Sequence, residues 1–247
     1  MSDKAIVCKD LKKQFGDFIA VNNITFEVNC GEIYGFLGAN GAGKTTAMRM
    51  LCGLSYPTSG EATVAGFNVF TQQEVIKKNI GYMSQKFSLY ENLTIKENIE
   101  FYGGVYGLSD KELRQKGDEL ITKLGLEKEA KKLVGELPLG WKQKLAFSVA
   151  IIHRPKIVFL DEPTGGVDPV TRRQFWDLIY DASANGITIF VTTHYMDEAE
   201  YCNRISIMVD GRIDALDTPA NLKQRFSAKT MDEVFYALAR GAKRSAD

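Results

Sequence analysis

The sequence has no excess of charge of either sign. Its 31 Lys and Arg side chains are matched by 31 Asp and Glu over 247 residues. That argues against non-specific nucleic-acid binding, which needs a basic surface. Cysteine is scarce and scattered: Cys8, Cys30, Cys52 and Cys202 form no C-x-x-C pair. Neither a metal cluster nor a redox dithiol is indicated, and the expectation is four buried thiols in a reducing compartment. No uncharged apolar run approaches the length of a bilayer span. The opening Met1-Ser2-Asp3-Lys4 begins no apolar signal segment. The expected molecule is soluble and serves a membrane, if at all, through another chain. Internal repeats and low-complexity linkers are absent too. What remains is a chain with 45% hydrophobic residues, enough for one large domain or one domain with a subdomain.

The strongest local pattern is Gly38-Ala39-Asn40-Gly41-Ala42-Gly43-Lys44-Thr45, the full G-x-x-x-x-G-K-[ST] phosphate loop. An apolar strand, Ile33–Leu37, precedes it, and a helical pattern from Thr46 to Leu51 follows. Glycines let consecutive backbone N–H groups line an anion-sized hollow. The helix aims its positive end at the same point. Lys44 supplies charge for the outer phosphates, and the Thr45 hydroxyl suits Mg²⁺.

Residues 4–30 read as a small antiparallel sheet whose turn, Phe15-Gly16-Asp17, offers an aromatic. Phe15 either stacks on a base or is an ordinary core or surface side chain. Strands are expected at 61–65 and 80–83, with a short helix at 71–79 between them. From Thr94 the pattern turns helical. Thr94-Ile95-Lys96-Glu97 is a capping box, and Ile95, Ile99, Tyr102 and Val105 form a stripe. Ser109-Asp110-Lys111-Glu112 opens a second helix with Leu113, Leu120, Ile121 and Leu124 as its stripe and Gly125 at its end. A third helix opens at Leu137-Pro138-Leu139-Gly140-Trp141, with proline at its first position, and runs to about Ile152. Residues 94–154 thus read as a helical insertion in an alternating α/β chain. Residues 1–93 and 155–225 carry the sheets, and 226–247 a tail helix. Further on, 156–162 and 187–191 are strands, the first apolar and the second buried, and Asp210-Gly211 joins a hairpin.

Asp161 and Glu162 end an apolar strand. Ligands of parallel α/β sheets gather at such strand ends. The first carboxylate then suits Mg²⁺, and the second suits base work on an attacking water.

These ordered motifs together resemble the nucleotide-binding subunit of an ATP-binding-cassette (ABC) transporter, over nearly the whole chain. The resemblance implies an α/β, P-loop NTPase fold with a mixed-sheet core, an antiparallel β subdomain and a helical subdomain. It implies ATP and Mg²⁺ as ligands. Phe15 would stack on adenine, and Gly38, Asn40, Gly41, Ala42, Gly43, Lys44, Thr45 and Thr46 would cradle phosphates. Gln85 would sense Mg²⁺ and the γ-phosphate, Asp161 would bind Mg²⁺, Glu162 would be the catalytic base, and His194 would contact the γ-phosphate. Asp168, in Gly165-Gly166-Val167-Asp168, matches the aspartate of the inter-subunit loop. Without the resemblance, Gln85 reads as a loop amide and His194 equally as a core histidine.

One segment departs from the family. The usual Leu-Ser-Gly-Gly-Gln is here Leu137-Pro138-Leu139-Gly140-Trp141. Pro138 has neither hydroxyl nor N–H, so only Leu139, Gly140 and Trp141 remain as binding candidates. Gly165 stands where serine is usual. The stretch 81–94 is similar to the ABC-2 exporter branch, whose partners are separate polytopic permeases for drug- or sodium-like cargo. Two ATPase chains, identical or not, would then pair on the cytoplasmic face of the membrane. Phe87, Leu89, Tyr90 and Leu93 would line a groove for the permease, or else fill the chain's own core. The alternatives are a soluble, non-transport ABC ATPase and a cassette of weak hydrolysis.

Overall fold

The computed structural model describes residues 4–85 and 89–244. In chain order the elements are β1 (Lys4–Phe15), β2 (Phe18–Asn29), β3 (Ile33–Gly38), α1 (Lys44–Leu51), β4 (Ser59–Val64), β5 (Phe67–Asn68), α2 (Gln73–Asn79), β6 (Ile80–Met83), α3 (Ile95–Val105), α4 (Asp110–Leu124), α5 (Leu139–Ala150), β7 (Ile157–Asp161), α6 (Pro169–Ala184), β8 (Thr188–Thr193), β9 (Arg204–Val209), β10 (Arg212–Asp217), α7 (Pro219–Arg225) and α8 (Met231–Arg244). A 3₁₀ turn, Met196–Tyr201, sits between β8 and β9. No helix among the described residues is long and apolar enough to cross a membrane.

Two sheets organise the chain. An antiparallel sheet runs β2-β1-β4-β5, and a mixed sheet runs β10-β9-β3-β8-β7-β6. In the second, β9, β3, β8, β7 and β6 are parallel, with β10 antiparallel at the edge. Every residue of β3, β7 and β8 is buried, as strands covered on both faces should be. Phe26 of β2 stacks on Tyr34 of β3 with centroids 5.6 Å apart, and packs on Phe36 and Phe190 at 5.6 and 6.2 Å. This aromatic cluster pins one sheet to the other. On the opposite face, Phe147 of α5 packs edge-on against Phe175 of α6, beside the fully buried Trp176.

The cap signals operate as expected. Thr94 and Glu97 close one reciprocal box and Ser109 and Glu112 another, while Gly125 ends α4 in the left-handed conformation at φ 67°. Four expectations need correction, and one open alternative is decided. Val105 is exposed, because the buried face of α3 is made by Ile95, Asn98, Ile99 and Gly103. Pro138 is the residue before α5, with φ −55° and ψ 150°, rather than its first helical position; the helix ends at Ala150, short of Ile152. An extended residue at the helix boundary is what the proline ring permits at no cost in lost hydrogen bonds. Cys30 is exposed, since the chain turns outward between β2 and β3; the other three cysteines are buried. Leu89 is only 7% exposed and joins the core of α3, α4 and α5. It therefore lines no groove. Tyr90 is exposed, and with Leu93 and Phe101 it lines a surface hollow. Phe87 lies outside the described residues.

Candidate functional site

The sheet order assembles the site. β8 lies between β3 and β7, and β6 lies beyond β7. The carboxyl ends of all four strands therefore point the same way. β3 delivers the phosphate loop, β7 delivers Asp161 and Glu162, β8 delivers His194, and β6 leads to Gln85. Ladder pairing places Leu37 beside Thr193 and Thr192 beside Asp161.

Within the loop, Gly43 has φ 103° and stands as the N-cap just before α1. A Cβ there would stand 2.3 Å from the Ala20 carbonyl oxygen of β2, so only glycine allows the β1–β2 hairpin to abut the loop. Ala39, Asn40 and Gly41 are exposed, Ala42 is buried, and Gly43 and Thr46 lie between. Lys44 is 4% exposed. Its Nζ donates to the Gly38 and Ala39 carbonyl oxygens at 2.8 and 3.1 Å, so the ammonium curls under the loop. Burial holds it below its ordinary pKa, opposed by Glu162 and Asp161.

Thr45 Oγ1 donates to Asp161 Oδ1 at 3.2 Å. Thr192 Oγ1 donates to the same oxygen at 2.7 Å. Asp161 is 2% exposed, and burial raises its pKa against the lowering effect of those two hydroxyls. Adjacent strand residues point to opposite faces. Here Glu162 escapes that rule: its φ is +49°, a costly conformation for a residue with a side chain. Its N–H is held by the Thr192 carbonyl and hydroxyl oxygens, both at 3.1 Å. Glu162 Oε1 then lies 3.4 Å from Lys44 Nζ. Its Oε2 accepts from Gln85 Nε2 at 3.0 Å and lies 3.0 Å from His194 Nδ1. Next to this group is a cavity of about 280 Å³, lined among others by Gln85, Gln143, Glu162, Gly166 and His194.

The chemistry of the donors fits the expected ligands. Thr45 Oγ1 and Asp161 Oδ1 are hard oxygens, the type Mg²⁺ takes while keeping most of its waters. Backbone amides at the start of α1 and the Lys44 charge fit a polyphosphate.

The remaining sequence candidates lie elsewhere on the chain. Phe15, 54% exposed at the tip of β1, has the Lys13 ammonium 4.8 Å above its ring. Leu139, Gly140, Trp141 and Asp168 line a second cavity of about 360 Å³, which shares only Gly166 with the first. Asp168 caps α6, accepting from the Val170 and Thr171 amides at 3.0 Å. Lys144 Nζ lies 4.8 Å over the Trp141 ring. Sequence reasoning missed Thr192, which anchors both carboxylate residues, and Gln143, whose Nε2 donates to the Gly165 carbonyl oxygen at 3.2 Å. The signal for Thr192 was a pair of threonines closing a strand whose centre, Ile189 to Val191, is apolar.

Residues 21–165 match the family model described as ABC transporter. The chain is 46% identical over 241 residues to the Escherichia coli (strain K12) "Probable multidrug ABC transporter ATP-binding protein YbhF", covering 96% of this chain and 42% of that protein. It thus spans less than half the length of that relative. It is 37% identical over 236 residues to the Nod factor export ATP-binding protein I of Rhizobium sp. (strain N33), covering 95% of this chain and 78% of that one. A solved ATP-binding subunit of an ABC transporter superposes with a TM-score of 0.85 at 27% identity, over 95% of this chain and 99% of the other. A family model over more than half of the chain and relatives at 46% and 37% identity agree, and this chain belongs to the ABC transporter family as one of its ATPase domains.

Proposed function

We propose that the chain is the ATP-hydrolysing subunit of an ABC-2 type exporter, working with a separate polytopic permease. The observation that carries the hydrolytic part is the position of Glu162, held between Lys44, Gln85 and His194 at 3.0–3.4 Å. In this reading the loop amides and Lys44 bind the β- and γ-phosphates. Thr45 and Asp161 hold Mg²⁺, with Gln85 as a further contact. The metal, when bound, neutralises phosphate charge as a Lewis acid. A water in the adjoining cavity gives its proton to the Glu162 carboxylate as its oxygen bonds to the γ-phosphorus, while the bond from that phosphorus to the β–γ bridging oxygen breaks and ADP leaves. His194 and Gln85 orient that carboxylate, and Phe15 stacks on the adenine.

Each copy carries a phosphate cradle and, apart from it, the start of α5 with Asp168 nearby. Two copies, or this chain and a second cassette, pair so that Leu139, Gly140 and Trp141 of one cover the ATP of the other. The α5 amides suit an anion there. Residues 94–154 act as the helical subdomain, and the hollow of Tyr90, Leu93 and Phe101 receives the permease. The names of the similar proteins, multidrug and Nod factor export, support the exporter assignment. A cassette of weak hydrolysis is the second reading, favoured by Pro138, which supplies no side-chain cap to α5.

The test is ATP turnover by the chain co-expressed with its polytopic partner. Glu162→Gln is expected to keep nucleotide binding and to cut turnover by roughly 10²–10⁴. Unchanged turnover would reject Glu162 as the base. Failure of any membrane protein to co-purify would reject the exporter assignment.

A further inference from the structure

Outside the site just described, one buried acid has no evident task. Glu198 is 0% exposed. Its Oε1 accepts from the Thr164 hydroxyl and lies 3.7 Å from Arg172 Nε. Its Oε2 and Arg172 Nε have no hydrogen-bond partner. A carboxylate removed from water at such incomplete compensation is poor at stabilising a fold, and each buried unsatisfied oxygen asks for a reason.

The surroundings supply one. The Arg172 guanidinium lies 4.1 Å from the Tyr195 ring centre and donates to Asp197 Oδ2 at 3.3 Å. Residues 162–172 are therefore tied to residues 194–198 at three levels. Glu162 meets His194, Thr164 meets Glu198, and Arg172 of α6 meets Tyr195, Asp197 and Glu198. Glu198 belongs to two of the three. Thr164 is itself 1% exposed and stands two residues after Glu162. The loop from Pro163 to Asp168 is also held by Gln143, on the Gly165 carbonyl oxygen, and by the Thr171 hydroxyl, on Asp168.

We propose that Glu198 is a positioning residue for hydrolysis. Through the Thr164 hydroxyl and Arg172 it sets the approach of Glu162 to His194 and the presentation of the Gly165–Asp168 loop to a second cassette. The proposal rests on the hydrolytic reading above. The Thr164 bond is the working link; the Arg172 charge is the lesser one.

The experiment compares Thr164→Val, which keeps shape and removes the hydroxyl, with Thr164→Ser, which keeps the hydroxyl. Thr164→Val is expected to lower kcat by roughly 10- to 100-fold, the scale of an ångström-sized misplacement, with ATP affinity changed by no more than about twofold, since the phosphate loop is untouched. Thr164→Ser is expected to restore most of kcat. Glu198→Gln, which keeps an accepting oxygen, is expected to lose less than Thr164→Val. Normal kcat in Thr164→Val, no rescue by serine, a parallel loss of ATP affinity, or a greater loss in Glu198→Gln would each overturn the proposal. Hydrogen exchange of nucleotide-free Thr164→Val tests the link separately from turnover. Amides 194–198 should exchange faster along with 164–168; acceleration confined to 164–168 would refute the link. A wild-type chain without ATPase activity would count against the hydrolytic reading, and the exchange result would still decide the link.

Discussion

Asp161→Asn separates what the site does for function from what it costs the fold. Burial raises the Asp161 pKa, and the rise survives the hydrogen bonds from Thr192 and Thr45 and the attraction of Lys44. The unfolded chain ionises this group near 3.8, and the folded nucleotide-free chain holds the proton to higher pH. Below 3.8 both states are protonated and Asp161 contributes nothing. As pH rises through the folded value, the folded state is progressively penalised, and the full penalty applies above it. Asparagine cannot ionise, and its carbonyl oxygen can still accept from Thr192 and Thr45. The variant should therefore be more stable near pH 7.5, by about 0.5–2 kcal/mol, the usual return when a costly functional group is removed. For a chain of this size that is about 1–8 °C in Tm. Thermal or urea unfolding without nucleotide at a series of pH values measures it. The gain should shrink as pH falls toward 3.8, while Mg²⁺-dependent ATP hydrolysis is lost at every pH. A lower Tm at pH 7.5, or a gain independent of pH, would refute the argument that desolvation dominates at Asp161.

Lys44→Ala removes a buried ammonium bonded to the loop carbonyls, and charged hydrogen bonds contribute about 1.5–3 kcal/mol. ATP affinity should fall roughly 10- to 100-fold in a fluorescent-nucleotide titration, and undiminished affinity would count against the cradle. Leu89→Ala should destabilise the chain by about 2–5 kcal/mol, the cost of a cavity in a packed core; a midpoint in urea unchanged from wild type would return Leu89 to the surface.

The phosphate loop, both capping boxes, the Gly125 helix end and the Asp210-Gly211 hairpin were legible because each is a local device. The residues that cause it sit within a few positions of its effect. Elements bordered by such devices were placed to within a few residues. Val105 was misread, and Leu89 was left open between groove and core, for a related reason. A helical or clustered apolar pattern tells which residues share a side of the chain, but burial depends on what covers that side. The strand pairing of 4–29 was visible, yet its contact with the phosphate loop, Ala20 against Gly43, joins stretches whose meeting no periodicity announces.

By itself, then, the sequence determined the ingredients: a cradle for phosphates, a carboxylate pair at the end of a buried strand, and helices with marked beginnings. Tertiary structure alone decided how they meet. Placing β8 between β3 and β7 puts Thr192 where it can hold Asp161 and the Glu162 amide together. That hold keeps Glu162 at a positive φ and turns its carboxylate toward Lys44, Gln85 and His194. The physical reason is that strand order and backbone strain are set by packing across the whole chain, which no short stretch of residues encodes.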